Sequence, residues 1–285
     1  FDKMHNSGTL SCPFLRTVMP KGKKILPTRL SFETKLTDIL DYYKMKVRMC
    51  ANGSGMIQGE DYIISYAPTV DADSFRLMLA IAASLRMILV FIDASNAFQT
   101  NVISDPNKRV YVSLPTMYLD WFRARFPNHP LAKCKNSKEL VMQSLRNIQG
   151  TKDAGFEWYQ LLAKIFRDLG WKANSVCKGV WVYIKEDVVA YLLLSTDDMI
   201  YMSLSEKPLD ELLNRFGDFF SFTVKRGIEL NFLNFKIIQS KDGISIDQTN
   251  HIIKSILDEY FDKDEKVKYE GSPFPKDSKF EYELY

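Results

Sequence analysis

Three carboxylates stand where chemistry is possible. Asp197 and Asp198 sit together between two apolar runs, Val188–Leu194 and Met199–Leu204, and Asp93 directly follows a third, Met87–Ile92. A turn is an ordinary home for Asp, which hydrogen-bonds its own backbone there, so the pair alone marks only a hairpin. Three such groups at the ends of neighbouring strands are different. Like charges gathered at one sheet edge are driven toward their protonated forms unless a cation neutralises them. Oxygen donors of this kind select Mg²⁺ or Mn²⁺. Two such ions roughly 3.5–4 Å apart can hold the attacking and the leaving oxygen of an in-line phosphoryl displacement. That chemistry needs no nucleophilic side chain. The three histidines (His5, His129, His251) and four cysteines (Cys12, Cys50, Cys134, Cys177) are scattered, without a C-x-x-C, so the expectation is reduced thiols, no zinc site and carboxylate ligands for any metal.

The elements that must position these groups follow from the patterning. At 285 residues, the chain is long enough for one large or two modest domains. Its 46% hydrophobic and 26% charged content excludes disordered and fibrous classes, and no apolar run approaches the ~20 residues of a membrane span. It begins at Phe1 without a signal-peptide pattern, as expected of a piece of a longer product. Residues 1–24 are polar and irregular and end in Lys21-Gly-Lys-Lys24; they read as a flexible arm. Residues 1–50 carry ten Lys/Arg against four Asp/Glu, which suits a polyanionic partner or simply an unevenly charged surface.

Tyr42–Met49 alternates apolar residues with Lys44, Lys46 and Arg48, which share one face of a strand. Ser74–Ser84 and Ala154–Leu169 are helical, the latter ended by Gly170. Met117–Lys138, aromatic and holding Pro127 and Pro130, reads as an irregular insertion. Strands at Arg109–Leu114 and Gly179–Ile184, a helix at Leu209–Phe219, strands near Leu230–Gln239 and at Gly243–Asp247, and a helix at Asn250–Phe261 complete the order. Helices mixed with hairpins predict an α+β fold with an antiparallel sheet.

Six segments in order resemble the reverse transcriptase domain of Ty1/copia-type retrotransposons. KVRMCANGSGMIQGEDYIISYAPTVD (Lys46–Asp71) is similar to that family's K-A-R-L-V-A-x-G, G-x-D-Y and F-A-P-V. FIDASNAF (Phe91–Phe98) resembles D-V-x-x-A-F, and RVYVSLP (Arg109–Pro115) resembles V-Y-V-x-x-P. IQGTKDAGFEWY (Ile148–Tyr159) is similar to L-Y-G-L-K-Q-A-P-R-x-W-Y, and LSTDDMI (Leu194–Ile200) to Y-V-D-D-L-L. NFLNFKI (Asn231–Ile237) with GISIDQTNHI (Gly243–Ile252) resembles F-L-G-x-x-I and its partner strand.

The resemblance implies a right-hand polymerase, with fingers, palm and partial thumb over residues 25–275 and a tail or connection at 276–285. It implies an RNA-directed DNA polymerase using two Mg²⁺ ions, with Mn²⁺ as a possible substitute. Asp93, Asp197 and Asp198 would hold the metal. Lys46 and Arg48 would hold the nucleoside triphosphate, cations offsetting charge on the leaving pyrophosphate. Phe98 would exclude a ribose 2′-OH. Gln149, Gly150 and Lys152 would line the nucleotide and template side, with Gly150 permitting close backbone approach to the template.

Implied partners are an RNA template, a DNA primer, deoxynucleoside triphosphates and other parts of a retrotransposon polyprotein (ribonuclease H, integrase), with no membrane. The implied location is intracellular, in a cytoplasmic virus-like particle. Trp121, Trp158 and Tyr159 are candidates to stack on bases or to fill the core. Ser195-Thr196 in place of Tyr-Val, Asp153 for Gln, Gly155 for Pro and Asn234 for Gly depart from the family pattern. They leave open a degenerate domain that binds nucleic acid without catalysis. A phosphoacceptor receiver domain fits poorly, since its acidic pair follows the first strand of an alternating βα chain.

Overall fold

The computed structural model describes residues 1, 2, 5, 7–36 and 42–252. Along the chain, β1 (Phe14–Leu15) and β2 (Ile25–Leu26) precede a long hairpin, β3 (Thr28–Leu36) and β4 (Tyr42–Ala51). Helix α1 (Ala72–Ser84) leads into β5 (Ile88–Ala94). After β6 (Tyr111–Ser113), helix α2 (Thr116–Arg125) and β7 (Leu140–Gln143) comes helix α3 (Ala154–Asp168), then β8 (Lys172–Ala173), β9 (Val180–Lys185), β10 (Val188–Ser195) and β11 (Asp198–Ser203). Helix α4 (Lys207–Gly217) is followed by β12 (Phe222–Arg226), β13 (Glu229–Phe232), β14 (Phe235–Ser240) and β15 (Gly243–Asp247). Only Thr249–Ile252 of the helix expected at Asn250–Phe261 is described; its remainder and the 276–285 tail lie outside the described residues.

The central sheet runs β12–β5–β11–β10–β9–β8, every pair antiparallel, so the expected α+β class is what the chain adopts. Side-chain alternation divides its core in two. Ile92, Leu194, Met199 and Tyr201 point to the face covered by α3 and α4, where they pack with Trp158, Leu162, Phe166, Leu212 and Phe216. Phe91, Leu193, Ile200 and Met202 point to the other face and pack with Phe75 and Leu79 of α1 and with Phe232 and Ile237 of the β13–β14 hairpin. A third core gathers Leu26, Val112, Tyr118, Phe122 and Met142 around the β1–β7–β6–β2 sheet.

Local chemistry explains the helix limits. The Asp71 carboxylate accepts from Ser74 N at 2.8 Å and from the Ser74 hydroxyl at 2.8 Å, capping α1. That pair of hydrogen bonds pulls its pKa down to about 2. Helix α3 ends where Gly170 turns left-handed, with φ +86°.

Several expectations change. The 1–24 arm is joined to the body over its described part: Thr9 and Leu10 are buried, and β1 pairs with β7. Apolar Leu10 finds a place in the third core, which a purely polar arm would not. The supposed insertion at Met117–Lys138 contains α2, whose Tyr118, Leu119 and Phe122 are buried. Its periodicity is weak because Trp121 and Phe126 also pack there, against Tyr118 and Phe122. The stretch Leu230–Gln239 is two strands, split by a turn at Leu233 (φ 51°) and Asn234 (φ 63°). Asn tolerates the left-handed region, in which glycine is also at ease, so Asn234 can stand at this turn where the family pattern has Gly. All four cysteines are free thiols. Among the described residues no helix is long and apolar enough to cross a membrane.

Candidate active site

Strand register assembles the site. At one end of the central sheet Ser195 pairs with Asp198, Asp198 with Asp93, and Asp93 with Thr223. Register partners share a face, so a polar row crosses four strands: Ser195, Asp198, Asp93, Thr223. One step inward the row is Leu194, Met199, Ile92 and Val224, on the opposite face and in the core. The apolar strands therefore end together, and carboxylates begin where the core stops.

Asp197 sits in the turn between β10 and β11. Its carbonyl accepts from Ala94 N at 2.9 Å, which ties the turn to the end of β5. The preceding carbonyl, of Thr196, accepts from the Trp158 indole Nε1–H at 2.6 Å. Thr196 itself has φ 55°, an unfavourable region for a β-branched residue.

The electrostatics are those of crowded acids. Burial pushes the Asp198 carboxyl up to about 6, the charges of Asp197 and Asp93 add to that, and Lys225 opposes it. Asp197 is solvent-exposed on its outer side, yet desolvation by the surrounding walls still raises its pKa, with Asp93 adding to the rise and Lys46 and Arg48 opposing it. Lys46 and Arg48 thus act on Asp197 from the β3–β4 hairpin, where they lie on one face opposite Glu33 and Ser31. The side chain of Lys44, the third basic residue of that strand, lies outside the described residues.

The other expected residues are placed as follows. Phe98 is half-buried in the 3₁₀ turn Ala97–Thr100 that follows β5, packed at the edge of the α3-side core. Gln149 accepts at its carbonyl from Ala51 N at 2.8 Å, and Gly150 accepts from Gly53 N at 3.1 Å. Gly150 has φ +95°, and a Cβ there would stand 2.0 Å from the Ala51 carbonyl oxygen. The close backbone approach that requires this glycine in the fold itself is to the base of β4. Lys152 is exposed.

Trp158 and Tyr159 are buried in the core and not available for stacking, and Trp121 packs against Phe1, His5, Tyr118 and Phe126. In the basic cluster, Lys24 pairs with Asp61 at 2.9 Å and Lys23 donates to the Asn107 carbonyl at 3.3 Å, so part of that charge is directed at the chain itself.

Sequence reading does not reach Thr223 and Lys225. They lie on β12, a short, half-exposed edge strand whose only sequence signal is the alternation in FTVKR. Lys225 Nζ stands 5.8 Å from the centre of the Phe91 ring and attracts Asp198.

The donor set suits a divalent metal of the oxygen-preferring kind: carboxylates on one edge and no nitrogen or sulfur ligand in the row. Among the described residues no three His, Cys, Asp or Glu side chains are already close enough to enclose an ion. An open acidic edge matches Mg²⁺, which keeps waters and substrate phosphate oxygens in its shell and is rarely caged by protein alone.

The reverse transcriptase (RNA-dependent DNA polymerase) family profile matches residues 15–268. Retrovirus-related Pol polyproteins from transposons RE1 and RE2 of Arabidopsis thaliana are 26% and 23% identical over 239 residues, 82% of this chain. That from transposon TNT 1-94 of Nicotiana tabacum is 24% identical over 230 residues, 78% of this chain. The chain spans 15% of the length of the first two and 16% of the third. Among solved structures, foamy viral protease-reverse transcriptase dRH in complex with ds DNA is 11% identical, with a TM-score of 0.40 over 73% of this chain and 30% of that one. Telomerase from Candida albicans with a fragment of telomeric RNA is 9% identical, with a TM-score of 0.43 over 85% and 48%. Likenesses that distant add nothing to the family match, which itself implies dependence on a divalent metal. Matched over most of its length and carrying its motifs in order, the chain belongs to the reverse transcriptase (RNA-dependent DNA polymerase) family, in the form found in copia-type retrotransposon Pol polyproteins.

Proposed function

We propose that this domain extends a DNA primer on an RNA template as the polymerase part of a retrotransposon polyprotein, with Asp93, Asp197 and Asp198 as ligands of two Mg²⁺ ions. The observation that carries this reading is the register that pairs Asp198 with Asp93 and leaves Asp197 in the adjoining turn. Bound there, the ions supply activation of the attacking hydroxyl and neutralisation of the leaving pyrophosphate.

The chain's own residues do the rest. The acidic row fixes where the reacting phosphate must lie. Lys46 and Arg48, whose charge already acts on Asp197, hold the triphosphate and offset the negative charge that grows on its departing oxygens. Phe98, half-open beside the end of β5, limits the space next to the sugar. Binding of the duplex rests mainly on phosphate contacts and weakens steeply as salt rises.

Primer extension with Asp197→Asn tests the assignment. The variant is expected to keep the wild-type fold by circular dichroism and to lose Mg²⁺-dependent extension by at least ~10³-fold, the scale of losing a metal ligand rather than a contact. Full activity in Asp197→Asn refutes the assignment. A wild-type protein that retains primer–template without extending it favours the degenerate, non-catalytic reading.

A further inference from the structure

The Thr196–Asp197 turn holds a conformation its residues do not prefer. A β-branched residue at φ 55° is strained and persists only where the surroundings over-determine it. Glycine takes that region freely; threonine does not. Two hydrogen bonds from outside the hairpin fix the turn. One is Ala94 N to the Asp197 carbonyl, from the strand that carries Asp93. The other is the Trp158 Nε1–H to the Thr196 carbonyl at 2.6 Å.

Trp158 is well suited to hold a backbone group still. Its side chain is 1% exposed, its ring meets Phe220 edge-on at 5.0 Å, and it sits on α3 among Leu162, Phe166 and Phe216. The indole has a single donor, and that donor is used on the turn. Strand alternation would send Asp197 to the face opposite Asp198, so the turn's backbone decides where the Asp197 carboxylate points.

We infer that Trp158 is a positioning residue for the polymerase reaction: its indole N–H holds the strained turn in the conformation that aims the Asp197 carboxylate at the Asp93 side. The inference rests on the proposed metal role of Asp197. The buried helix thereby reaches the reacting centre through one hydrogen bond, while the Trp158 ring itself stays in the core.

The test removes the N–H while keeping the ring. Trp158→Phe and replacement of Trp158 by β-(3-benzothienyl)alanine, which has the shape of tryptophan without its donor, are compared with wild type and with Asp197→Asn. Mn²⁺ binding to the protein alone is read by electron paramagnetic resonance, alongside kcat and KM in primer extension and thermal unfolding. Losing one buried hydrogen bond is expected to weaken Mn²⁺ binding and to lower kcat by roughly three- to tenfold, with KM for deoxynucleotide nearly unchanged. Adding Thr196→Gly is expected to recover part of the loss, because glycine adopts the left-handed conformation without the strain that threonine carries there.

If both donor-less variants bind Mn²⁺ and turn over like wild type while Asp197→Asn does neither, the inference fails and the metal assignment stands. The inference also fails if the variants merely melt earlier, with Mn²⁺ affinity intact and no recovery by Thr196→Gly. If Asp197→Asn keeps both Mn²⁺ binding and extension, the metal assignment itself falls, and this inference with it.

Discussion

Asp93 and Asp198 are register partners on adjacent antiparallel strands, β5 and β11, although 105 positions separate them in the chain. Two carboxylates facing each other across a sheet repel, and nothing in the hydrophobic core behind them requires the pair. Such an arrangement stores an unfavourable interaction at the sheet's end that a cation relieves.

Stability of the metal-free protein is therefore expected to depend on pH through Asp198. Its folded pKa of about 6 lies above its ordinary value of 3.8, so the folded state holds the proton more tightly than the unfolded chain does. The stabilising contribution is complete below the ordinary value and is lost as pH rises through about 6. Melting temperature in chelator should fall over that window, less so in Asp198→Asn, and Mg²⁺ should restore it at neutral pH. Identical pH profiles for wild type and Asp198→Asn would argue against the crowding of acids described above.

Gly150→Ala tests the joint between the basic hairpin and the palm side. The new Cβ would meet the Ala51 carbonyl oxygen at 2.0 Å on a backbone with φ +95°, so both clash and strain oppose it. A loss of at least about 2 kcal/mol in unfolding free energy is expected, measured by urea denaturation. A neutral substitution would mean that the Ala51–Gly53 and Gln149–Gly150 backbones are not held together in solution.

Phe98→Ala opens space beside the 3₁₀ turn after β5. Incorporation of ribonucleotides relative to deoxynucleotides should rise by roughly ten- to a hundredfold, as when a steric wall is removed. The half-buried ring also contributes packing, so a stability loss of about 1–3 kcal/mol accompanies it. Unchanged discrimination in a folded variant would assign Phe98 to the core alone.

Much of the palm was legible because its signals are local. The apolar runs of β9, β10 and β11 each end in turn residues, and α3 has one apolar stripe stopped by Gly170. Where packing is non-local the signal failed. Edge strand β12 carries too little burial to leave a pattern, so the sequence does not place Thr223 and Lys225 beside Asp93 and Asp198. Helix α2 is surrounded by aromatic residues on more than one side, which blurs its period. The split at Leu233–Asn234 was hidden because only the backbone, through its positive φ angles, reveals the turn.

Sequence alone determined which residues are candidates for the chemistry: acids placed at the ends of apolar strands, and a basic strand face whose period of two keeps Lys46 and Arg48 together. Tertiary structure decided how those groups meet. Register between strands far apart in the chain puts Asp93 opposite Asp198, the hydrogen bond from Trp158 reaches the strained turn beside Asp197, and the Gly150 backbone closes on Ala51. The physical reason is that side-chain identity and periodicity are written locally, whereas pairing register, backbone strain and desolvation arise only when distant segments share one space.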